Sequence, residues 1–308
     1  MTTYANVDGI PFTMPVRSQG SPVLFACFSI DAGAAAELLP GQVLHPCRLL
    51  RRGLLVVAVA DYLDTPIGRY VEFCIGILVT KGRSQAPALA PLLVRSLFGV
   101  GVYIYDLPVS TEISVKGGLG IWGMPKRQAN LDFVVAEDTV SSQYDLDGQL
   151  AMRIDIPRPA GPSLPVRATG VGYGSFRGLL AKSYVHVRGR MGLSLRRREA
   201  RLLIGDHPRM RPLKTLDIDP RPVVTGFLPA TAGVLDDHAE TWFLTSDSPP
   251  GAPQLGLRDV VDVGTSQQWL APPDRAASDR LLERLGPDER VGRVPRSQGA
   301  LDEEKSVS

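Results

Sequence analysis

The segment Tyr144–Ile156, with the sequence YDLDGQLAMRIDI, decides the class of fold that this chain can adopt. Apolar side chains alternate with polar ones on both sides of the central pair Asp147-Gly148, as they do in strands with one buried face. An Asp-Gly pair between two alternating runs predicts a tight β-hairpin, since both residues tolerate the positive φ that such a turn requires. We therefore expect two antiparallel strands in the middle of the chain.

Further strands are predicted on both sides of this hairpin. Runs rich in β-branched and aromatic residues, bounded by turn signals, occur at 54–62, 70–80, 102–107, 131–135, 185–190, 193–204 and 223–228. Helices are few: Asp31 can cap a short one at 31–39, and leucines at helical spacing predict another at 87–98 that ends at Gly99. The sequence thus predicts an α+β, β-rich fold, built as a closed or partly closed antiparallel β-barrel with few peripheral helices.

The overall charge gives no reason to expect a nucleic-acid or membrane partner. Lysine and arginine number 34 against 32 aspartate and glutamate, and 44% of the 308 residues are hydrophobic, enough for a sizeable core. An arginine run at 196–198 predicts a solvated strand face or a subunit contact. A nucleic-acid patch is the alternative, but no aromatic residues lie between the arginines to stack on bases. The longest apolar run, 54–60, is too short to span a bilayer.

Cysteine and histidine usage predicts a reducing compartment and no bound metal. The three cysteines form no CxxC pair, and the N-terminus has no apolar signal-peptide core, so we expect a cytoplasmic protein with free thiols. The four histidines lack the spacing of metal ligands, and no phosphate-binding or dinucleotide-binding loop is present. The sequence predicts neither a cofactor nor a metal.

The segment Ile121–Arg127, IWGMPKR, is the strongest functional signal. A lysine acts as a nucleophile near neutral pH only if its pKa falls well below its usual value of about 10.4, which burial and a neighbouring cation both favour. Arg127 is a permanent cation beside Lys126, so the pattern predicts a Schiff-base lysine; a solvated turn is the alternative. The glycine-rich stretch 117–120 is expected to form a flexible or tightly turned approach to this segment.

Around this segment the chain resembles the acetoacetate decarboxylase-like family, from about residue 24 to residue 243. Gly123–Arg127 is similar to the family's Pro-Lys-Lys segment, which places Lys126 at the Schiff-base lysine and Arg127 at the second lysine. Gly68–Glu72 is similar to the family's Gly-x-Tyr-x-Glu strand, which places Glu72 at an active-site carboxylate. Glu112 fits the family's approach strand, and the resemblance also implies a homo-oligomer.

The chain departs from the family pattern at several charged positions. The family's Gly-Arg-Glu reads Gly118-Leu119-Gly120 here, a family arginine falls near Ser21, and a family carboxylate falls at Val57. A pocket without these charges would hold a small β-keto carboxylate less well. This makes acetoacetate itself a less expected substrate, and it bears less on imine chemistry.

The resemblance implies a lysine-dependent lyase that acts on a keto acid or ketone, in the first place a β-keto acid decarboxylase. An imine-forming aldolase or dehydratase with a larger keto substrate is one alternative, and a non-catalytic barrel that binds a small molecule is another. Glu72 is the candidate proton shuttle, or else a structural carboxylate, and Arg127 either tunes the lysine or anchors its loop. Trp122, Met124 and Tyr70 are the candidate walls of the pocket, with core packing as the other reading of Trp122.

The chain is expected to divide near residue 244. Residues 1–244 would form the barrel domain, with 1–20 as a surface arm. Residues 245–308 would form a linker, signalled by the proline-rich and glycine-containing stretch 246–251, and a disordered tail with a short helix near 278–285.

Overall fold

A computed structural model describes residues 3–176, 178–194, 199–244 and 263–293. The strands, numbered in chain order, are β1 (Thr3–Val7), β2 (Ile10–Met14), β3 (Val16–Asp31), β4 (Leu44–Pro46), β5 (Arg52–Tyr62), β6 (Tyr70–Lys81), β7 (Gly101–Val109), β8 (Lys126–Gln128), β9 (Asn130–Leu131), β10 (Val134–Val135), β11 (Thr139–Leu146), β12 (Gln149–Pro157), β13 (Leu164–Phe176), β14 (Leu179–Leu193), β15 (Arg201–Ile204) and β16 (Val224–Phe243). The helices are α1 (Ala32–Glu37), α2 (Ala90–Leu93), α3 (Glu112–Trp122), α4 (Arg211–Lys214), α5 (Arg275–Arg284) and α6 (Pro287–Arg290), with a 3-10 helix at Pro208–Met210.

Seven of these strands close into a barrel, which confirms the predicted β-rich α+β fold. The strand order is β6-β5-β3-β16-β14-β13-β7, and pairing of β7 with β6 completes the circle. Neighbouring strands are antiparallel except that β13 runs parallel to β7, which in turn pairs with the short parallel strand β8. The edge of β7 thereby receives the segment that carries Lys126.

The predicted central hairpin forms the middle of a second, smaller sheet. Strands β11 and β12 pair antiparallel across Asp147 and Gly148, which have φ angles of 51° and 72°. This sheet has the order β10-β11-β12-β15 and packs on one face of the barrel strands, where the Tyr144 and Phe73 rings lie 4.9 Å apart. We call the face of the barrel strands that the small sheet covers the core face. The opposite face, on which β6 carries Glu72, is called the lysine face.

The N-terminal arm and the glycine-rich stretch differ from their predicted forms. Residues 3–14 form the β1–β2 hairpin instead of a surface arm, with Val7 and Phe12 buried against Leu119. Glu112 and the glycines at 117–120 belong to helix α3 and not to a strand or flexible turn. The glycines lower helix propensity, which hid the helix, but they allow neighbouring groups to approach its backbone closely.

The two helices predicted in the first hundred residues had different outcomes. Asp31 caps α1 by accepting a hydrogen bond from the Ala34 N–H at 2.7 Å, as expected. The helix predicted at 87–98 is reduced to α2, because Leu93 and Leu97 stay 85% and 74% exposed and so provide no buried stripe to stabilise further turns.

The predicted strands near the C-terminal end of the barrel are longer than expected or partly outside the described residues. The strands expected at 185–190 and 223–228 extend to Leu179–Leu193 and Val224–Phe243. Of the strand expected at 193–204, Arg201–Ile204 is confirmed, whereas residues 195–198, including the arginine run, lie outside the described residues.

Residues 275–293 form helices α5 and α6 instead of a disordered tail, and α5 confirms the short helix expected near 278–285. Helix α5 lies on the small sheet, where Arg275 forms a 2.6 Å ion pair with Asp132 and Arg153 forms another with Asp279 at the same distance. Ser278, fully buried, donates to Oε1 of Gln143. These partners are distant in sequence, so composition alone could not reveal them. Residues 245–262, which include the predicted linker, and 294–308 lie outside the described residues, and the domain boundary near 244 stays a prediction.

Candidate active site

Lys126 is held where helix α3 ends and strand β8 begins. Gly123 ends the helix in the left-handed conformation with φ 63°, and its N–H donates back to Leu119. The chain then turns through Met124 and Pro125 into β8, where Lys126 pairs with Leu107 of β7. Lys126 is only 6% exposed, so the predicted burial of this lysine is present.

The Lys126 amine has two polar partners and one aromatic neighbour. Its Nζ forms an ion pair with Oε2 of Glu72 at 2.7 Å and donates to Oγ of Ser114 at 3.1 Å. The centre of the Tyr70 ring lies 5.2 Å away, within the range of a cation–π contact. The hydroxyl of Tyr62 lies 3.4 Å from the other Glu72 oxygen, Oε1. The structure thus brings Lys126, Glu72 and Tyr70 together as predicted.

The electrostatic state of Lys126 differs from the sequence prediction. Burial is the largest single effect and lowers its pKa, but the charge and hydrogen bond of Glu72, together with smaller effects of Tyr70 and Cys74, raise the Lys126 pKa above its ordinary value. The resting site therefore holds an ammonium–carboxylate pair, and the expected depressed amine pKa is wrong for this state. The pair stabilises the fold below the ordinary lysine pKa, and this contribution is lost as the pH rises through the raised value.

Arg127 does not act on Lys126, because adjacent residues of a strand place their side chains on opposite faces. Its Nε donates to Oδ1 of Asp106 at 2.8 Å, and its Nη2 lies 2.7 Å from the same oxygen without donor alignment. The hydroxyl of Tyr144, from the small sheet, donates to Oδ2 of Asp106 at 3.4 Å. Arg127 therefore belongs to the core face. This geometry favours the interpretation that Arg127 anchors the loop of Lys126 over the interpretation that it tunes the Lys126 pKa.

Glu72 has small side chains on one side along the lysine face, and the rings of Tyr62 and Tyr70 on the other. Residues directly paired in antiparallel strands share a face, as do residues two apart in one strand. By this register Cys74, Ala58 and Ala60 lie beside Glu72, with Ala60 directly opposite it. Burial, and after it the Glu72 charge, raises the pKa of the Cys74 thiol to about 12, so this thiol stays neutral. The surface that these three residues form beside Glu72 is therefore uncharged and consists of small side chains.

The other predicted pocket residues divide between two buried clusters. Trp122 and Met124 pack with Leu107, and partly buried Cys74 lies against this cluster. Tyr70 packs in a separate group and keeps its ring beside the amine; burial raises its pKa to about 12, although Lys126 opposes the shift. Trp122 is 6% exposed, which is consistent both with packing in the core and with lining a pocket.

The N-terminal hairpin explains the departures at positions 118–120. Leu119 is 2% exposed beneath Val7 and Phe12, so a charged side chain at 119 would lose its contact with water. A Cβ added at Gly120 would lie 2.5 Å from Val7, and one at Gly118 would lie 2.4 Å from Cδ of Lys126. Apolar packing replaces the charges that the resemblance places here.

The two remaining departures lie in structural positions. Val57 is fully buried on the core face, where it pairs with Ile75. Ser21 is also fully buried, and its carbonyl accepts a hydrogen bond from Thr231 at 2.8 Å. Neither position offers a charge to the Lys126 site.

A C-terminal segment, residues 263–271, crosses helix α3 and strand β8. Backbone carbonyls of this segment accept hydrogen bonds from Lys116 at 3.0 Å, from Gln128 at 3.0 Å and from Asn130 at 2.7 Å. Lys116 also pairs with Asp8 of the N-terminal hairpin at 2.9 Å. Helix α3, which supplies Ser114 to the amine, is therefore held by both ends of the described chain.

Sequence reasoning missed several members of the site. Cys74 follows Glu72 by two residues in a predicted strand, so strand alternation could have placed it on the same face. Ser114 could not have been found, because its helix was predicted as a strand. Among the described residues no group of three or more His, Cys, Asp and Glu side chains is arranged to hold a metal ion. None of the helices in those residues has the length and apolar character needed to cross a membrane.

We predict that Gly118→Ala displaces Lys126, because the new Cβ would overlap the aliphatic stem of the lysine. Overpacking of this kind costs about 1–3 kcal/mol, measurable by denaturant unfolding. Gly117→Ala is the matched control, since its Cβ would meet Phe12 at 2.9 Å instead of the lysine. Both variants should lose stability, but only Gly118→Ala should change the reactivity of the Lys126 amine; equal reactivity in the two would contradict the proposed packing.

We predict that Arg127→Ala destabilises the protein without altering the pH dependence of the Lys126 amine. The substitution removes the ion-pair partner of Asp106, which is only 1% exposed, at a cost of about 3–5 kcal/mol. The double variant Arg127→Met/Asp106→Asn removes both charges and should recover much of this loss. If the pH profile of Lys126 modification is shifted in the folded double variant, Arg127 does influence the Lys126 pKa and the prediction is wrong.

These features define the class of protein: a closed barrel with a buried lysine–glutamate pair on one strand face and an apolar surface around it. A family model described as acetoacetate decarboxylase (ADC) matches residues 2–169, more than half of the chain. The chain therefore belongs to the acetoacetate decarboxylase family.

Solved structures with the same fold include three proteins at low sequence identity. An acetoacetate decarboxylase superposes with a TM-score of 0.56 at 16% identity, covering 74% of this chain and 89% of that one. The acetoacetate decarboxylase of Legionella pneumophila subsp. pneumophila str. Philadelphia 1 gives 0.55 at 16% identity, covering 77% and 88%. An acetoacetate decarboxylase-like enzyme from Sphingomonas wittichii RW1 gives 0.53 at 14% identity, covering 75% and 94%. No curated protein matches the sequence.

Proposed function

We propose that this protein is a lysine-dependent lyase that forms an imine between Lys126 and a keto acid, and that its reaction is decarboxylation of a β-keto acid. The observation that carries the proposal is the buried Lys126 amine, 2.7 Å from the Glu72 carboxylate and bordered by small apolar side chains. A buried ion pair of this kind suggests a purpose beyond stability, because two charges are costly to remove from water.

Glu72 is the base that makes the amine nucleophilic. Its carboxylate accepts a proton from the Lys126 ammonium across the 2.7 Å contact, which leaves a neutral amine and a carboxylic acid. Entry of a substrate excludes water and weakens the advantage of the charged pair over this neutral pair. The raised resting pKa of Lys126 is therefore compatible with imine chemistry, since the proton moves within the pair and not to bulk water.

The neutral amine attacks the ketone carbon to give a carbinolamine. Glu72 returns its proton to the hydroxyl, which leaves as water, and a cationic iminium remains on Lys126. The bond to the carboxylate carbon then breaks, its electron pair moves into the iminium to give an enamine, and carbon dioxide departs. A proton from solvent adds to the enamine carbon, and water hydrolyses the resulting iminium, which releases the ketone and restores the Lys126 ammonium. Ser114 accepts a hydrogen bond from the amine and positions it for attack.

The substrate that fits this site carries an apolar group beyond its keto carbon. Leu119 and Gly120 provide no charge for a small carboxylate, whereas Ala58, Ala60 and Cys74 leave an apolar surface beside Glu72. We expect a longer 3-oxo acid to be processed with a higher kcat/KM than acetoacetate.

The same apolar packing favours a second candidate function. Loss of the charges at positions 119 and 120 removes groups that would orient a departing carboxylate, so the imine could serve aldol or dehydration chemistry on a larger keto substrate. A binding protein with an unreactive Lys126 is the remaining alternative.

Borohydride reduction tests the proposal. The protein is incubated with acetoacetate, 3-oxo-octanoate or pyruvate and reduced, and the modified lysine is located by peptide mass mapping. We predict an adduct on Lys126 and none on Lys116, which is equally buried at 4% exposure but pairs with Asp8. Lys126→Arg should abolish the adduct and turnover and leave the protein folded, because a guanidinium does not form the imine at neutral pH. Lys116→Arg is the matched control and should keep the adduct.

The outcomes separate the three functions. An adduct accompanied by release of carbon dioxide supports the decarboxylase, and an adduct without carbon dioxide supports the aldolase or dehydratase. Turnover that survives Lys126→Arg would contradict imine catalysis, and a folded protein that gives no adduct with any of the keto compounds would favour the binding protein.

We further propose that the protein works in the cytoplasm as a homo-oligomer with a small keto acid as its partner. The absence of disulfides among Cys27, Cys47 and Cys74 supports a reducing compartment. Light scattering of the purified protein tests the oligomer.

A further inference from the structure

A second concave surface lies on the long strands, among residues that do not contact Lys126. It is a cleft of about 420 Å³ between strands β3, β13, β14 and β16. Its lining includes Arg17, Arg167 and Arg188, and we call it the arginine cleft. The remaining lining residues are small or neutral, apart from His186.

The strand register brings the three arginines to one face. Arg167 is directly opposite Arg188 in the β13–β14 pair. Two residues along, Thr169 pairs with His186, which pairs with Val234 of β16, which in turn pairs with Arg17 of β3. Because paired residues and residues two apart share a face, the guanidinium groups enter the same cleft from different strands.

All three arginines are exposed, so their mutual repulsion in the absence of an anion is strongest at low ionic strength. Like charges directly opposite in an antiparallel pair repel, and Arg167 and Arg188 are such a pair. Within the described residues, none of the three arginine side chains of the cleft has a hydrogen bond or an ion pair. The carboxylate of Asp236 is engaged by His186 at 3.2 Å, and the other ring nitrogen of His186 lies 2.9 Å from Thr169.

Arg190 shows that an arginine on this strand can find a partner. It lies two residues beyond Arg188 on β14, and its guanidinium donates to Oγ of Ser163 at 3.0 Å and to the Ser163 carbonyl. The unpaired state of the cleft arginines is therefore a local property and not a general feature of the β14 surface.

We propose that the arginine cleft binds a small, multiply charged organic anion that carries phosphate groups. Guanidinium groups bind phosphate oxygens through paired, charge-assisted hydrogen bonds, which suits them to such a ligand. Three arginines on separate strands suit a ligand with several anionic groups better than a ligand with a single one. The cleft volume of about 420 Å³ accommodates a small molecule of this kind. The site is independent of the proposed lysine chemistry.

Calorimetry with inorganic pyrophosphate and with ATP, on the full chain at fixed ionic strength, tests the proposal. We expect binding that Arg188→Gln or Arg17→Gln weakens by about tenfold or more, while Arg190→Gln leaves it unchanged. Arg188→Gln should also raise the melting temperature of the ligand-free protein at low salt, because it relieves the repulsion with Arg167, and should remove the stabilisation that pyrophosphate gives to the parent protein.

Three results would overturn the site. The first is no binding of either anion by the folded protein. The second is equal weakening by Arg190→Gln, which would indicate diffuse attraction to a basic surface. The third is a change of oligomeric mass on substitution of Arg17 or Arg188 with no effect on anion binding, which would assign the cleft to a contact between copies of this chain.

Discussion

The ion pair between Lys126 and Glu72 is the interaction on which the candidate site depends. It is buried, it joins strand β8 to strand β6, and it sets the charge of the Lys126 amine. Ser114 orients the amine from helix α3, and Tyr62 approaches the carboxylate from β5.

The barrel separates two sets of charges that are adjacent in sequence. Lys126 lies with Glu72 on one strand face, and Arg127 lies with Asp106 on the other, because strand alternation sends neighbouring side chains in opposite directions. Each cation has its own carboxylate, so the proximity of the two in sequence does not produce mutual repulsion. The charge of Lys126 is therefore set by the carboxylate in contact with it, and not by the cation next to it in sequence.

The sequence predicted the barrel and the identity of the pair, but not the surroundings of the pair. Periodicity of two at 54–62, 70–80 and 144–156 is a local property, which is why these strands and the Asp147-Gly148 turn were recoverable. Helix α3 was missed because its glycines are unfavourable by propensity and are justified only by contacts with Phe12, Lys126 and Val7, which come from elsewhere in the chain.

The C-terminal segment was misjudged for the same reason. Its charged residues are typical of a solvated tail, yet Arg275 and Asp279 have buried or half-buried partners on the small sheet. The charge state of Lys126 also depends on a tertiary contact. The resemblance identified Glu72, but no local pattern in the sequence predicts how far Glu72 lies from the Lys126 amine.

The most direct measurement of this account is the pKa of the Lys126 amine in the parent protein and in Glu72→Gln, followed by NMR of ¹⁵N-labelled lysine with Lys126→Arg to assign the signal. The Glu72 charge raises the amine pKa and burial lowers it, and burial is the larger single effect. The account predicts a value above 10.5 in the parent protein and below 10.5 in Glu72→Gln. An unchanged value in the folded variant, or a parent amine that already titrates below 10.5, would contradict the claim that Glu72 holds and exchanges the proton of Lys126.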